Sequence, residues 1–160
     1  MPRHEQKQAM PFSPAQMFDL VADIASYPEF LPWCSAARIT KREMLGDGRQ
    51  ALDADLVIGY KAFRGAYSSR VTLDRAAMKI DVSHQRGPFK YLNNHWVFLS
   101  QADGGCVVDF FIDFEFQNPI IRKLMDLVFT EAVRRMVHAF ETRAHAIYQP
   151  VAAEDRISAG

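Results

Sequence analysis

The chain has 160 residues, enough for one domain with a single hydrophobic core. Nineteen Lys and Arg residues balance 19 Asp and Glu residues, which argues against an overall positive field that would attract nucleic acid or anionic lipid. No apolar run approaches the roughly 18 residues that cross a bilayer, and residues 1–10 are polar and charged. We therefore expect a cytoplasmic protein.

The first predicted element is a short helix that begins at Ser13. Ser13, Pro14 and Gln16 form the pattern of a capping box with proline at the first helical position. The apolar residues that follow recur with helical spacing up to residues 27–28: Met17, Phe18, Leu20, Val21 and Ile24.

Residues 27–34 read YPEFLPWC, with three aromatic residues, a leucine and two prolines where a soluble domain ordinarily has a polar loop. The prolines fix φ and remove two backbone donors, which predicts a rigid loop. One interpretation is a loop that plugs one end of the core. The other is a wall that faces a ligand.

Between residues 35 and 117 apolar and polar side chains alternate, and glycine-rich turns interrupt the pattern. This predicts a meander of antiparallel strands with one apolar face. The clearest run is 106–116, in which Asp109, Asp113 and Glu115 share the polar face. We interpret these carboxylates as solvated strand residues, not as an acid–base pair. The two cysteines, Cys34 and Cys106, are predicted to be reduced core thiols because they form no CxxC motif.

A second, long helix is predicted to begin at Asn118-Pro119 and to continue for about 30 residues, because no breaker precedes Pro150. Its apolar stripe is formed by Ile121, Met125, Val128, Ala132, Met136, Ala139 or Phe140, and Ile147. This order of elements predicts an α+β domain over residues 1–149 whose sheet curls around the terminal helix. Residues 150–160 are predicted to be a disordered tail.

No constellation of residues indicates catalysis. His138, Glu141 and His145 lie on one helix face at spacings that permit metal binding, but an exposed polar face explains them more simply. The sequence contains no HExxH motif, phosphate-binding glycine loop or GxSxG elbow. We expect a protein that is not an enzyme and has no catalytic cofactor.

The YPEFLPWC segment, a GPFKYL segment at 87–92 and the helix start NPIIRKLMDLVF at 118–129 resemble the coenzyme Q-binding family. This family belongs to the START-like, helix-grip superfamily, also described as polyketide cyclase-like, and the resemblance covers about residues 5 to 148. It implies a curved seven-stranded antiparallel sheet around a long C-terminal helix, with a hydrophobic tunnel. It also implies binding of ubiquinone in support of respiratory electron transport.

The resemblance supports a second function as well, because bacterial relatives are described as ribosome-association toxins that block subunit joining. Eukaryotic members carry a mitochondrial transit peptide, and we expect none in this chain. For the present chain we expect a cytoplasmic location with peripheral contact at the inner face of the plasma membrane, and respiratory complexes as partners.

A polyprenyl quinone is nearly all apolar surface, so it requires an enclosed, aromatic-rich channel with few polar anchors. Twelve Phe and seven Met residues could line such a channel, although they would serve an ordinary filled core equally well. The predicted ligand-binding residues are Tyr27, Phe30, Leu31, Trp33, Phe89, Leu92, Trp96, Phe110, Leu124, Met125, Val128 and Phe129.

Within this set, Phe30, Leu31 and Trp33 are predicted to form one rim of the channel. Residues 89–92 form the opposite gate, hinged at Gly87-Pro88, and residues 124–129 form the floor. The predicted hydrogen-bond donors to the headgroup are the Trp33 indole and the Tyr27 hydroxyl, with Asn94 or His95 as further choices.

Collecting such a ligand requires a transient visit to a membrane surface, for which Trp33 or Phe89 could insert at the interface. The competing partner is a ribosomal subunit, bound through basic clusters that otherwise are simply solvated faces: Arg38, Lys41 and Arg42, or Arg122, Lys123, Arg134 and Arg135. A third function, a polyketide cyclase-type enzyme, would require a polar pocket with an acid–base pair.

Overall fold

The computed structural model describes residues 3–60 and 63–151. In this part of the chain there are seven strands: β1 (Arg3–Met10), β2 (Cys34–Met44), β3 (Gln50–Tyr60), β4 (Phe63–Asp74), β5 (Lys79–Arg86), β6 (Phe89–Ser100) and β7 (Cys106–Phe116). The helices are α1 (Pro14–Ala22), a 3-10 helix (Ile24–Glu29) and α2 (Pro119–Ile147).

The strands form one sheet in the order β1-β7-β6-β5-β4-β3-β2, and every neighbouring pair is antiparallel. The predicted α+β fold, a curved seven-stranded sheet with a C-terminal helix, is confirmed. The residue pattern had not identified β1, because its sequence RHEQKQAM is polar and only Met10 is buried. This strand is held by backbone pairing with β7, from Arg3 opposite Asp113 to Met10 opposite Cys106.

The capping box at the start of α1 is confirmed. The Ser13 hydroxyl accepts a hydrogen bond from the Gln16 N–H at 3.1 Å, and the Gln16 side chain accepts one from the Ser13 N–H at 3.0 Å. The segment after α1 differs from the prediction. Residues 27–29 belong to the 3-10 helix, residues 30–33 form the turn before β2, and Cys34 is the first residue of β2. The Tyr27 carbonyl accepts from both the Phe30 and Leu31 amides, which ends the helical winding there.

The long helix α2 is confirmed, with 29 residues and Asn118 as its N-cap. The Asn118 side chain accepts hydrogen bonds from the Ile120 and Ile121 amides at 2.8 and 3.3 Å. The buried stripe is Met125, Phe129, Val133, Phe140 and Ala144. The predicted stripe was therefore wrong at its end, because Ile147 is 47% exposed.

The C-terminal end of the described chain lies against the segment before α1. The Val151 amide donates a hydrogen bond to the Pro11 carbonyl at 2.8 Å. The remainder of the predicted tail, residues 152–160, lies outside the described residues.

The main core lies between the inner face of the sheet and the helices α1 and α2. Residues with at most 1% exposure include Phe12 before α1, Phe18 within α1, and Leu52, Ala54 and Ile80 on the sheet. Both cysteines are buried and free, as predicted. Some polar side chains of β4 and β5 also lie in this interior.

Candidate functional site: an internal cavity beside strand β4

A cavity of about 110 Å³ lies in the interior of the domain, between the sheet, the 3-10 helix and α2. Its wall is mainly aliphatic and aromatic, and among the described residues no Asp, Glu, Lys or Arg contributes to it. Pockets for drug-sized ligands usually measure about 300–1,000 Å³. The space is therefore a compact cavity, and a lipid headgroup would enter it only by displacing side chains.

A second void of about 30 Å³ lies next to this cavity. Trp96 and Phe140 line both spaces, and their rings meet edge to face with centroids 5.2 Å apart. Both rings therefore contact the two spaces.

Two of the polar groups at the cavity wall already have hydrogen bonds within the protein. The Tyr27 hydroxyl donates to the Val21 carbonyl at 2.5 Å. The Asn94 amide donates to the Phe111 carbonyl at 2.8 Å, and its oxygen accepts from the Trp96 indole at 2.9 Å. The Tyr27 hydroxyl and the Asn94 amide, two of the predicted headgroup donors, therefore already donate hydrogen bonds within the protein. His95 is exposed and its ring bonds to Asp81 at 2.6 Å.

Two further hydroxyl groups at the cavity wall differ from these. Tyr67 and Ser69 are both on β4, and neither hydroxyl hydrogen-bonds to another residue within 3–60 and 63–151. Ser69 is 2% exposed and is the buried polar residue of the core. Burial raises the pKa of Tyr67 to about 12, so its hydroxyl is protonated and able to donate at neutral pH.

The same region contains a third polar group without a partner. His84 on β5 lies directly opposite Ser69, and its buried Nε2 has no hydrogen bond to any described residue. Its ring contacts the buried Phe89 ring edge to face, with centroids 5.6 Å apart. The β4–β5 register shifts between Ser68 and Ser69, an irregularity of the kind that re-aims side chains in sheets.

The structure places four of the predicted ligand-binding residues at the main cavity: Tyr27, Leu31, Leu92 and Trp96. Phe110 lines the smaller void. Phe30 lies outside the cavity wall, although its ring packs on Tyr27 and Phe140 with centroids 5.9 and 5.2 Å away.

The predicted floor of the channel does not meet the cavity. Leu124, Met125, Val128 and Phe129 lie nearer the start of α2, where Phe129 packs against Phe114 with ring centroids 5.2 Å apart. The α2 residues at the cavity are Met136 and Phe140, two to four turns further along the helix.

The predicted gate at residues 89–92 is not a loop. These residues are the first four of β6, and Phe89 is 4% exposed, with its ring centroid 4.7 Å from that of Phe116. Phe89 is therefore a core residue and cannot insert into a membrane in this conformation. Trp33 is partly buried, and its carbonyl accepts a hydrogen bond from the Gly59 amide at 2.8 Å.

Sequence reasoning missed Tyr67 and Ser69. The available signal was the period of two along β4, in which Tyr67, Ser69 and Val71 alternate with Ser68 and Arg70. The outward residues confirm this alternation. The Ser68 hydroxyl donates to Asp55 at 2.6 Å, and Arg70 pairs with Asp53 at 3.2 Å.

Polar residues that the sequence analysis considered as candidate functional groups contact neighbouring side chains. Glu115 lies 3.9 Å from Lys90 and 3.7 Å from Arg122 on the outer face of the sheet. The ring of His145 packs on Phe12 with centroids 4.9 Å apart. Within the described ranges no group of three or more His, Cys, Asp or Glu side chains is arranged to hold a metal ion.

Residues 10–141 match the family described as polyketide cyclase / dehydrase and lipid transport. The chain belongs to this family. A relative from Rickettsia prowazekii, named ribosome association toxin RatA, is 40% identical over 141 residues, which are 86% of this chain and 92% of that protein. The mitochondrial coenzyme Q-binding protein COQ10 of Drosophila melanogaster is 28% identical over 140 residues, which cover 86% of this chain and 56% of that protein.

A solved structure with the same fold is the START superfamily protein from Mycobacterium smegmatis. It superposes with a TM-score of 0.77 at 18% identity, over 91% of this chain and 99% of that one. The family assignment and the START-like fold predicted from the sequence are confirmed. None of the helices in the described ranges is both long enough and apolar enough to cross a bilayer.

Proposed function

We propose that this family member binds a polyprenyl lipid, ubiquinone or a close analogue, and carries it in support of respiratory electron transport. The observation that carries the proposal is the interior cavity, whose wall is apolar and free of charged side chains among the described residues. Apolar surface favours such an environment by about 25 cal/mol per Å². The family description, which includes lipid transport, and the similarity to a coenzyme Q-binding protein support it.

The size of the cavity sets a condition on this function. At about 110 Å³ it must expand to accept a quinone ring, and the side chain best suited to move is Met136. Methionine is unbranched and flexible, so it can change shape around a ligand. A role in binding, without turnover, is part of the proposal, because the lining supplies no acid–base pair of charged residues.

The test is to extract freshly purified protein with organic solvent and identify the lipids by mass spectrometry. Met136→Trp should reduce the ubiquinone content severalfold, because the larger side chain fills the cavity. Met44→Trp is the matched control, since Met44 is 70% exposed on β2, away from the cavity and from α2, and should leave lipid content unchanged. Equal ubiquinone content in both variants, or none in the wild-type protein, would contradict the proposal.

A lipid carrier must contact a membrane, and α2 carries the surface that fits one. Ile120 and Leu127 are 79% and 84% exposed, and they lie seven residues apart on one face of the helix. The exposed Lys123 lies between them. Apolar side chains flanked by cations favour the interface of an anionic bilayer. This pair replaces Trp33 and Phe89 as the proposed contact.

The second candidate function is association with a ribosomal subunit, which the names of several relatives indicate. An open groove between α2 and the turn before β2 favours it. Phe30 and Pro32 line one side of this groove, and Arg134, Arg135, His138 and Arg143 line the other. Arg135 pairs with Glu131 at 2.8 Å, whereas Arg134 has no ion pair among the described residues. Such a surface suits phosphate contacts.

The two functions are separable by mutation. Sedimentation with purified ribosomal subunits at two salt concentrations should respond to Arg134→Glu but not to Met136→Trp, if the ribosome is the partner. Lipid content should show the opposite pattern. Absence of salt-sensitive sedimentation in the wild-type protein would contradict the ribosomal function.

A further inference from the structure

The strand β4 presents two hydroxyl groups to the cavity that have no partner in the described chain. We propose that Tyr67 and Ser69 are a pair of hydrogen-bond donors that hold a ring carbonyl of an isoprenoid quinone, so that the ligand enters the cavity headgroup first. This inference rests on the proposed lipid-binding function and specifies which end of the ligand is recognised.

The geometry of the strand directs both side chains toward the same cavity. Tyr67 and Ser69 are two residues apart, so their side chains emerge on the same face of the sheet. Their neighbours across the β3–β4 pair are Leu56 and Ala54, which are buried. The small side chain of Ala54 leaves space beside the Ser69 hydroxyl.

Burying a hydroxyl without a hydrogen bond is unfavourable. Ser69 is 2% exposed and has no partner within 3–60 and 63–151, although an alanine of nearly the same volume would avoid this penalty. A ligand that accepts a hydrogen bond from inside the cavity removes the cost. The Nε2 atom of His84, directly across the β4–β5 pair from Ser69, is buried and has no hydrogen bond to any described residue.

The chemistry of the wall selects a neutral acceptor. A charged headgroup would be unpaired here, because no Asp, Glu, Lys or Arg of the described residues lines the cavity. The hydroxyls of Tyr67 and Ser69 can each donate one hydrogen bond to a carbonyl oxygen. Aromatic rings also line the space, with Tyr27 and Phe140 in an edge-to-face pair at 5.4 Å. A flat ring with two carbonyl acceptors matches this arrangement.

The experiment measures binding of decylubiquinone by quenching of tryptophan fluorescence, with Trp96 as the reporter at the cavity wall. Tyr67→Phe and Ser69→Ala should each weaken binding about fivefold, which corresponds to about 1 kcal/mol for one hydrogen bond. The matched controls are Tyr91→Phe and Ser68→Ala, whose hydroxyls bond to Asp113 and Asp55 on the outer face. Both controls should bind as the wild type does.

Two further measurements separate recognition of the carbonyl from a change in cavity shape. Squalene, which has no hydrogen-bond acceptor, should displace a bound hydrophobic dye equally well from the wild type and the double variant. In infrared spectra, the carbonyl stretch of bound ¹³C-labelled quinone should move to higher frequency in each cavity variant, because a hydrogen bond to the oxygen is lost.

Unchanged quinone affinity and carbonyl frequency in the double variant would overturn the donor pair while leaving the lipid-binding function intact. Equal loss of squalene and quinone would also overturn it, because the effect would then be one of shape. If the wild-type protein binds neither ligand, the lipid-binding function fails and the donor pair fails with it.

Discussion

A Cβ atom placed on Gly87 would lie only 2.6 Å from the Cβ atom of Tyr67. Gly87 also has a φ of 138°, which L-residues with a side chain rarely adopt. The turn between β5 and β6 thus presses its backbone directly against β4 at the cavity. Only glycine permits this approach, and the approach fixes the position of the Tyr67 side chain.

We therefore expect Gly87→Ala to destabilise the protein by about 2–3 kcal/mol, through backbone strain and displacement of β4. Urea unfolding monitored by circular dichroism measures this change. Gly46→Ala is the control, because a Cβ at Gly46 would meet nothing within 4 Å, and its unfolding midpoint should remain close to that of the wild type. Equal midpoints for the two variants would show that the turn does not press on β4.

Leu127→Glu should reduce flotation of the protein with anionic liposomes by about tenfold, because it replaces an inserted apolar side chain by a charge. The control is Met44→Glu, which alters a residue that is 70% exposed on β2, away from α2. Trp33→Ala should float as the wild type does, since Trp33 is partly buried. Undiminished flotation of Leu127→Glu would remove α2 from the membrane contact.

The folded protein should lose stability at alkaline pH, and Tyr67 should account for part of the loss. Burial raises the pKa of Tyr67 to about 12 and that of Cys106 to about 11, and it also raises the pKa of Tyr27. A raised pKa in the folded state contributes stability that is complete below the pKa of the unfolded chain. For Tyr67 it is lost as the pH rises from about 10 to about 12, with a slope of about 1.4 kcal/mol per pH unit.

The measurement is the urea midpoint as a function of pH, compared between the wild type and Tyr67→Phe. The variant should show a shallower decline in this window and the same profile below about pH 9. Parallel profiles for the two proteins throughout the alkaline range would contradict the assignment.

The parts of the fold that sequence reasoning predicted correctly depend on local signals. Ser13 and Asn118 cap their helices through contacts within three residues, so each helix start can be identified from a few letters. β1 had no such signal, since its pairing with β7 is made by backbone groups more than 90 residues away in sequence. The 3-10 helix was missed because Pro28 was interpreted only as a breaker.

The candidate site was predictable only in part, for a related reason. Within the aromatic-rich residues 27–34, Tyr27 and Leu31 line the cavity. Helical periodicity is the same along α2, so it does not show which part of the helix faces the cavity. The position at which α2 crosses the sheet places Met136 and Phe140 at the cavity, and not residues 124–129. Likewise, a tyrosine and a serine on a strand are ordinary residues until the packing deprives them of partners.

The two edge strands of the sheet, β1 and β2, both contain many charged and polar residues. Both edge strands carry exposed cationic side chains: Lys7 on β1, and Arg38, Lys41 and Arg42 on β2. Charged side chains on edge strands discourage the addition of a strand from another molecule. Without β1, the hydrophobic strand β7, which contains four phenylalanines, would become an exposed edge strand and a template for polymerisation. We therefore expect β1 to prevent self-association of the protein through the edge of β7.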